Sequence, residues 1–431
     1  MFPRSKWLNV IFSTGACVAG CTVSSQCEPP EHAVISPDDR APRGGDESCA
    51  NDPHSTPELR VYRNPYANVD WLRDRRLIAQ FHDHAQTRTD YIDLYDAAGY
   101  DVISLFHYIG VPQVEAAWKE VHWPPEAWLP NGYTESLSSI EQFYPGGEHA
   151  ASWHLTGPFL SEYIELWDAS KDPVKLDHHY ETDQELIDLI TAGGGYPVLA
   201  HPWAPVSHFS NLTGLHAIEI YSAFGEINYL SGVADVQPND LMEAVWDDAL
   251  ERDPNIYGIA VNDWRGPFCK TEDCLAHPRA TDSGKVELIA HRASLPDIEA
   301  AFASGAMFAV KDYGLTKLRY PRVESIEVDS SSIVITARGE VRWISHGEQV
   351  GVGEQLELDT LPLNSRYVRA EISDADGSIV FVQPFVLAYV GDVDGDGDVD
   401  SRDSELCEQV VAGLDTLPDH VAAVAAVDDC G

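Results

Sequence analysis

Residues 183–201 confine the chain to a narrow set of architectures. Leu186, Ile187, Leu189 and Ile190 recur at helical spacing within Asp183–Ala192, and the run Gly193-Gly194-Gly195 stops the helix. Tyr196-Pro197-Val198-Leu199-Ala200 follows as a buried strand with His201-Pro202-Trp203 at its tip. The same order of helix, strand and polar tip recurs elsewhere. Arg76–Phe81 reads as a strand, Asp90–Gly99 as a helix with a glycine stop, Asp101–Phe106 as a strand that delivers His107, and Leu215–Tyr221 as a further strand. A helix from Asn239 to about Glu251 precedes the apolar strand Ile256–Val261, which runs into Asn262-Asp263. Val286–Ile289 and Ser294–Ser304 add a strand and a helix, and Ala309–Asp312 leads out. Strands alternating with helices predict an α/β domain over residues 61–320: a closed or nearly closed β/α barrel with its chemistry where the strands end.

In an extended chain residues two apart point to the same side, so His82 and His84 of Phe81-His82-Asp83-His84 project together. Two imidazoles held that way make half of a metal site. A lone histidine is commonly a satisfied surface or core residue. Here the pair is joined by His107, Glu148, His154, His201 and Asp263, each in an apolar or Gly/Pro-marked segment that reads as a strand end, and that recurrence favours a metal site. A carboxylate can bridge two ions with one oxygen on each, and Glu148 is the candidate. In strand 215–221, Glu219 and Tyr221 fall on one face and His216 on the other; Glu219 either supports the site by a hydrogen bond to a ligand or pairs with an Arg or Lys. No competing pattern is convincing: Gly193-Gly194-Gly195 lacks the Lys-Ser/Thr of a phosphate-binding loop, and there is no G-x-S-x-G turn.

Charge narrows the partners. With 70 acidic against 28 basic residues and a formal net charge of -42, the chain repels nucleic-acid backbone, so no nucleic-acid partner is expected. Trp118, Trp123, Trp128 and Tyr133 either line a cleft for a small-molecule substrate or pack a long loop.

At the N-terminus, Arg4 and Lys6 precede the modestly apolar run Trp7–Val18, followed by Val18-Ala19-Gly20-Cys21. This resembles the lipobox of bacterial lipoproteins, which implies that residues 1–21 are a signal with Cys21 as a lipid anchor to the membrane; ordinary secretion is the other reading. Either way the mature chain is exported. Residues 22–60, rich in Pro, Ser, Asp and Gly, read as a tether. The simplest pairing of the remaining cysteines is by sequence-local disulfides, Cys27–Cys49, Cys269–Cys274 and Cys407–Cys430, although other pairings are open.

Residues 321–389 break into short alternating runs separated by turns, which predicts a small β-sandwich, either a structural companion of the barrel or a carbohydrate- or partner-binding module. Residues 390–431 hold an acidic loop. Asp392, Asp394, Asp396 and Asp403 fall at positions 1, 3, 5 and 12, with Asp398 between and Gly397 at the sharp turn, a spacing that predicts calcium. The loop resembles one repeat of a dockerin. No second complete loop follows, which disfavours a cohesin-type partner and favours a calcium-stabilised tail over a surface-attachment role.

The ordered series Phe81-His82-Asp83-His84, 99–107 ending in His107, Pro145-Gly146-Gly147-Glu148-His149 with His154, Leu199-Ala200-His201-Pro202, Ile218-Glu219-Ile220-Tyr221 and Val261-Asn262-Asp263 resembles the PHP superfamily of metal-dependent hydrolases. That domain is shared by histidinol phosphatases and accessory domains of bacterial DNA polymerases, and the resemblance implies a distorted seven-stranded β/α barrel. The sequence Tyr367–Pro384 after the barrel makes the exported branch that includes carbaryl-type esterases the most similar. Carried over residue by residue, the resemblance puts one divalent metal on His82, His84, Glu148 and Asp263, and a second on Glu148, His154 and His201.

A third metal in the family would use a residue near Asp90 or Thr89, His107, and a histidine two places after Asp263. Arg265 occupies that last place and Phe106 stands where an aspartate is usual, so a dinuclear centre of Zn, Mn or Fe is expected. Arg265 then either offers a fixed charge to a substrate oxygen or pairs with a carboxylate, while His107 is a partial ligand or an acid/base group. Asp263 is expected to orient or deprotonate the attacking water besides binding metal. The activity so implied is hydrolysis of a small-molecule phosphoester. A carboxylester or carbamate hydrolase on the same metals is the alternative, and a non-catalytic surface binding or scaffold protein is the alternative of another class.

Overall fold

Apolar runs bounded by Gly, Pro and Asp set most of the strands. A computed structural model of the chain describes residues 58–82, 95, 99–109, 137–142, 155–160, 183–202, 211–223, 239–263, 283–312, 320–392, 402–403 and 405–406. The strands in its first part are β1 (Leu59–Arg63), β2 (Arg75–Gln80), β3 (Val102–Ile109), β4 (Leu137–Gln142), β5 (Leu155–Pro158), β6 (Val198–Leu199), β7 (Ala217–Ser222), β8 (Tyr257–Val261), β9 (Gly284–Ala290) and β10 (Met307–Lys311). Helices α1 (Asp183–Ala192), α2 (Asn239–Leu250) and α3 (Leu295–Ser304) lie between them. In α1, Leu186, Ile187 and Ile190 are buried, and Gly194 ends the element at φ 80°. The later strands are β11 (Arg322–Val328), β12 (Ser332–Arg338), β13 (Glu340–Ser345), β14 (Glu348–Val352), β15 (Gln355–Glu357), β16 (Tyr367–Ser373) and β17 (Ile379–Tyr389). Among the described residues the fold is mixed α/β with strands predominating.

One sheet follows the order β14-β13-β16-β17-β10-β9-β2-β3-β4-β5-β6-β7-β8, with β1 on β17. The pairs β2–β3, β3–β4, β6–β7 and β7–β8 are parallel, while β4–β5, β5–β6, β2–β9 and β9–β10 are antiparallel. The expectation is a closed or nearly closed barrel, and a closed one is not found: among the described residues no ladder joins β8 back to β9 or β2. Side chains bridge the gap instead. Gly284 N–H of β9 donates to Asn262 Oδ1 at 3.0 Å, and Gln80 Oε1 accepts from the backbone N–H groups of both His82 (3.2 Å) and Asn262 (3.3 Å). One backbone bond, Asp263 N–H to His82 O at 3.1 Å, spans the same gap.

The three-stranded sheet β11-β12-β15 packs on the far end of the large one. Ile326, Ile333, Ile335 and Leu356 share a core with Trp343, Val368, Phe385 and Phe308. These sheets form a sandwich, one layer of which continues the main sheet through the register Phe308↔Val382 and Ala309↔Phe381. β10, which the sequence reads as an exit segment, is therefore the hinge between the two halves of one sheet.

The other strand faces bury two further clusters. Ile218, Ile220, Trp246 and Leu186 meet between the sheet and helices α1 and α2, while Ala79, Phe81, Val286, Ile259 and Phe302 meet on the opposite face. A register shift between Glu219 and Tyr221 breaks the alternation of β7. Tyr221 consequently joins the cluster of Ile218 and Ile220 instead of sharing the environment of Glu219, which corrects the two-faced reading of this strand.

His216, just before β7, packs against the rings of Tyr196, Phe302 and Tyr257 at centroid separations of 4.7, 5.0 and 5.2 Å, and its Nε2 lies 3.1 Å from Phe302 O. Desolvation by these rings lowers its pKa to about 4. The unfolded chain therefore takes up a proton on this residue between about pH 6.5 and 4 that the folded chain does not, so stability falls as pH drops through that window. A His216→Gln variant should lose about 2 to 3 kcal/mol less than the parent between pH 7 and pH 4. Urea unfolding of both proteins at the two pH values measures the difference, and equal losses would count against this origin.

Candidate metal centre

Three strands end alike. β2 stops at Gln80, β6 at Leu199 and β8 at Val261, and two residues beyond each comes His82, His201 and Asp263 in turn. The last two adopt the left-handed backbone region, His201 at φ 27° and Asp263 at φ 49°. Non-glycine residues pay on the order of 1 kcal/mol for that conformation, and it persists where surrounding bonds over-determine it. Those bonds are present. His201 N–H donates to Glu219 Oε2 at 2.8 Å, and Asp263 N–H to His82 O at 3.1 Å.

The three side chains converge in the interior. His82 and Asp263 are fully buried, His201 is 4% exposed, and one ligand atom from each lies within 4.8 Å of the others. Asp263 divides its carboxylate between the imidazoles: Oδ1 is 3.5 Å from His82 Nε2, and Oδ2 is 4.0 Å from His201 Nε2. The rings stand 5.7 Å apart with a 24° interplanar angle. Ligand atoms on one ion at about 2.0–2.2 Å lie about 3–4 Å from one another, and the two distances from the Asp263 carboxylate to the imidazoles fall in that range. Two imidazole nitrogens and a carboxylate suit a divalent transition metal.

Behind the group lies Glu219 on β7, fully buried, with Oε1 2.6 Å from His82 Nδ1. Of the two roles the sequence leaves open for Glu219, the structure selects the hydrogen bond to His82. Burial pushes its carboxyl pKa up; His82 and the His201 N–H act against that, and the charge of Asp263 adds to it. Residues that sequence reasoning misses complete the frame. Gln80 and Asn262 hold the strand ends together, and Asn262 Nδ2 donates to the hydroxyls of Tyr100 (3.3 Å) and Tyr95 (3.4 Å). The only signal for either is a polar residue closing an apolar run, which a loop start also shows.

Among the predicted site residues, the structure thus brings together His82, His201 and Asp263. His201, assigned by resemblance to the second metal, stands beside two residues assigned to the first. His84, Thr89, Asp90, Glu148, His154 and Arg265 lie outside the described residues, as do Cys21 and the proposed disulfide cysteines. His107 is on β3, paired with Ile140, and its side chain lies outside them too. From the calcium loop, Asp392 and Asp403 are both buried, while Asp394, Asp396 and Asp398 lie outside the described residues.

The fold and site define a sheet-dominated α/β protein with a buried His-His-Asp group suited to a divalent metal. No protein-family model and no curated protein matches the sequence. A similar solved structure is a two-domain protein from Bacteroides vulgatus described as containing a predicted PHP-like metal-dependent phosphoesterase. It is 14% identical, with 73% of this chain and 88% of that chain covered and a TM-score of 0.35. A likeness at this level leaves the functional reading to the residues themselves.

Proposed function

We propose that the chain is a metal-dependent hydrolase of small-molecule phosphoesters. The observation that carries this reading is the buried convergence of His82, His201 and Asp263, with Glu219 behind His82. His82 Nε2, His201 Nε2 and the Asp263 carboxylate would hold the ion. A divalent metal bound there supplies charge stabilisation to a substrate oxygen and lowers the pKa of a bound water. The protein's own part is positional. The hydrogen bonds at Gln80, Asn262 and Glu219 fix the strand ends, and burial of the three ligands keeps bulk water from competing for them. A second ion would draw on Glu148 and His154, with His84 completing the first.

The test compares the full chain, before and after chelation, with an Asp263→Ala variant. Metal content is measured by atomic emission, and hydrolysis with p-nitrophenyl phosphate, bis-p-nitrophenyl phosphate and p-nitrophenyl acetate. At least one equivalent of metal is expected, with phosphoester turnover that falls on the order of a thousandfold in the variant. Less than one equivalent under metal-replete conditions, together with no Asp263-dependent hydrolysis, would defeat the enzyme reading and leave a binding or scaffold role. A preference for the carboxyl ester would move the substrate class and keep the centre.

A further inference from the structure

We propose that Glu219 is the positioning residue of this centre: its two carboxylate oxygens act as a double clamp, one setting the tautomer of His82 and the other holding the backbone of His201. The inference rests on the metal-centre reading and goes beyond it to a residue that binds neither metal nor substrate. Oε1 lies 2.6 Å from His82 Nδ1, while Oε2 accepts the His201 backbone N–H at 2.8 Å. With Oε2 already accepting, a carboxylate at Oε1 asks for a proton on Nδ1. That leaves the lone pair on Nε2, the nitrogen facing Asp263 Oδ1 at 3.5 Å. The second hand acts on the main chain. His201 precedes Pro202 and sits at φ 27°, a conformation outside the extended region that residues before proline prefer, and the bond from its N–H opposes relaxation.

The chemistry requires two acceptors, so the carboxamide is the informative replacement. In Glu219→Gln one position becomes an NH2 donor. If the amide oxygen faces His82, the NH2 meets the His201 N–H, donor against donor, and the backbone clamp is lost. If the amide is flipped, the NH2 faces His82 Nδ1, which must then accept, and the proton moves to Nε2, the ligand position. Either arrangement costs the site one of its two constraints. Glu219→Asp keeps two acceptors but is one methylene shorter, too short to reach both partners from the same backbone.

Three readouts separate this role from a structural one. Nitrogen-15 imidazole shifts of the metal-free protein should place the His82 proton on Nδ1 in the parent. Co2+ affinity, by competition with a chromophoric chelator, should fall about tenfold to a hundredfold in both variants. The Co2+ visible spectrum should change with it, while far-UV circular dichroism keeps the folded signature. Unchanged Co2+ affinity and spectrum in folded Glu219→Gln, with His82 still protonated on Nδ1 and the His201 amide shift unmoved, would overturn the proposal. Failure of the parent to bind Co2+ would instead sink the metal reading. In that event the tautomer of the parent and the His201 amide shift decide the clamp by themselves.

Discussion

An Arg369→Met variant is expected to be about 3–5 kcal/mol less stable than the parent, because it leaves the buried Asp247 carboxylate without its cation, while Glu371 keeps Arg342. Arg369 on β16 is 2% exposed, and each of its three nitrogens donates to a carboxylate. Its Nε and Nη2 donate to the two oxygens of Asp247 at 2.7 Å each, and its Nη1 donates to Glu371 Oε1 at 2.6 Å. Its guanidinium also lies 4.9 Å over the ring of Trp246, and the Tyr367 hydroxyl adds a bond to Asp247 at 3.1 Å. Burial by itself would pull the arginine pKa down; the hydrogen bonds and charges of Asp247 and Glu371 outweigh it and hold the group above its ordinary value. Removing the cation leaves Asp247, 8% exposed, without its charged partner. The double variant Arg369→Met/Asp247→Leu should recover a large part of the loss, since it removes the stranded charge as well. Urea unfolding measures both. A single-variant loss below about 1 kcal/mol would show that the network contributes little. Asp247 belongs to α2, the helix that leads into β8, so this network ties the strand carrying Asp263 to the C-terminal half of the sheet.

The second large effect is expected at Gly284. A Cβ there would lie 2.0 Å from Val261 O, 2.5 Å from Val261 C and 2.9 Å from Val261 N, all backbone atoms of β8. No rotamer change relieves such a clash. The Gly284→Ala substitution must push β9 from β8 at the point where Gly284 N–H meets Asn262, the residue before Asp263. About 3 kcal/mol of destabilisation is expected, at the upper end of overpacking costs. Metal content should drop with it, because the displaced strand carries a ligand. A folded Gly284→Ala protein with parental stability and full metal occupancy would mean that the gap between β8 and β9 is more compliant than these contacts imply.

Legibility in the sequence followed range. Helix α1, its glycine stop and the strand into His201 are readable because their signals lie within twenty residues: helical spacing, then Gly, then an unbroken apolar run. β14 escapes notice for a local reason. Its hairpin turns on His346 (φ 52°) and Gly347 (φ 68°), a two-residue pattern in which histidine stands where Asn or Asp would announce it. β10 is short, and its apolar pattern says that it is buried without saying between what. Only pairing with β9 and β17 makes it the hinge of the sheet.

The sequence by itself determined the ligand candidates His82, His201 and Asp263, because each closes an apolar run and a histidine or carboxylate there has few reasons to be present. It also determined the mixed α/β class and the strand-rich C-terminal part. Tertiary structure alone decided which polar residues answer one another. Glu219 meets His82 across 137 positions, Asp247 meets Arg369 across 122, and Gln80 joins β2 to β8 where, among the described residues, no ladder pairs them. Periodicity records which face of an element is buried. The partner waiting on that face depends on how distant elements pack, and on local departures such as the bulge in β7 that separates Tyr221 from Glu219.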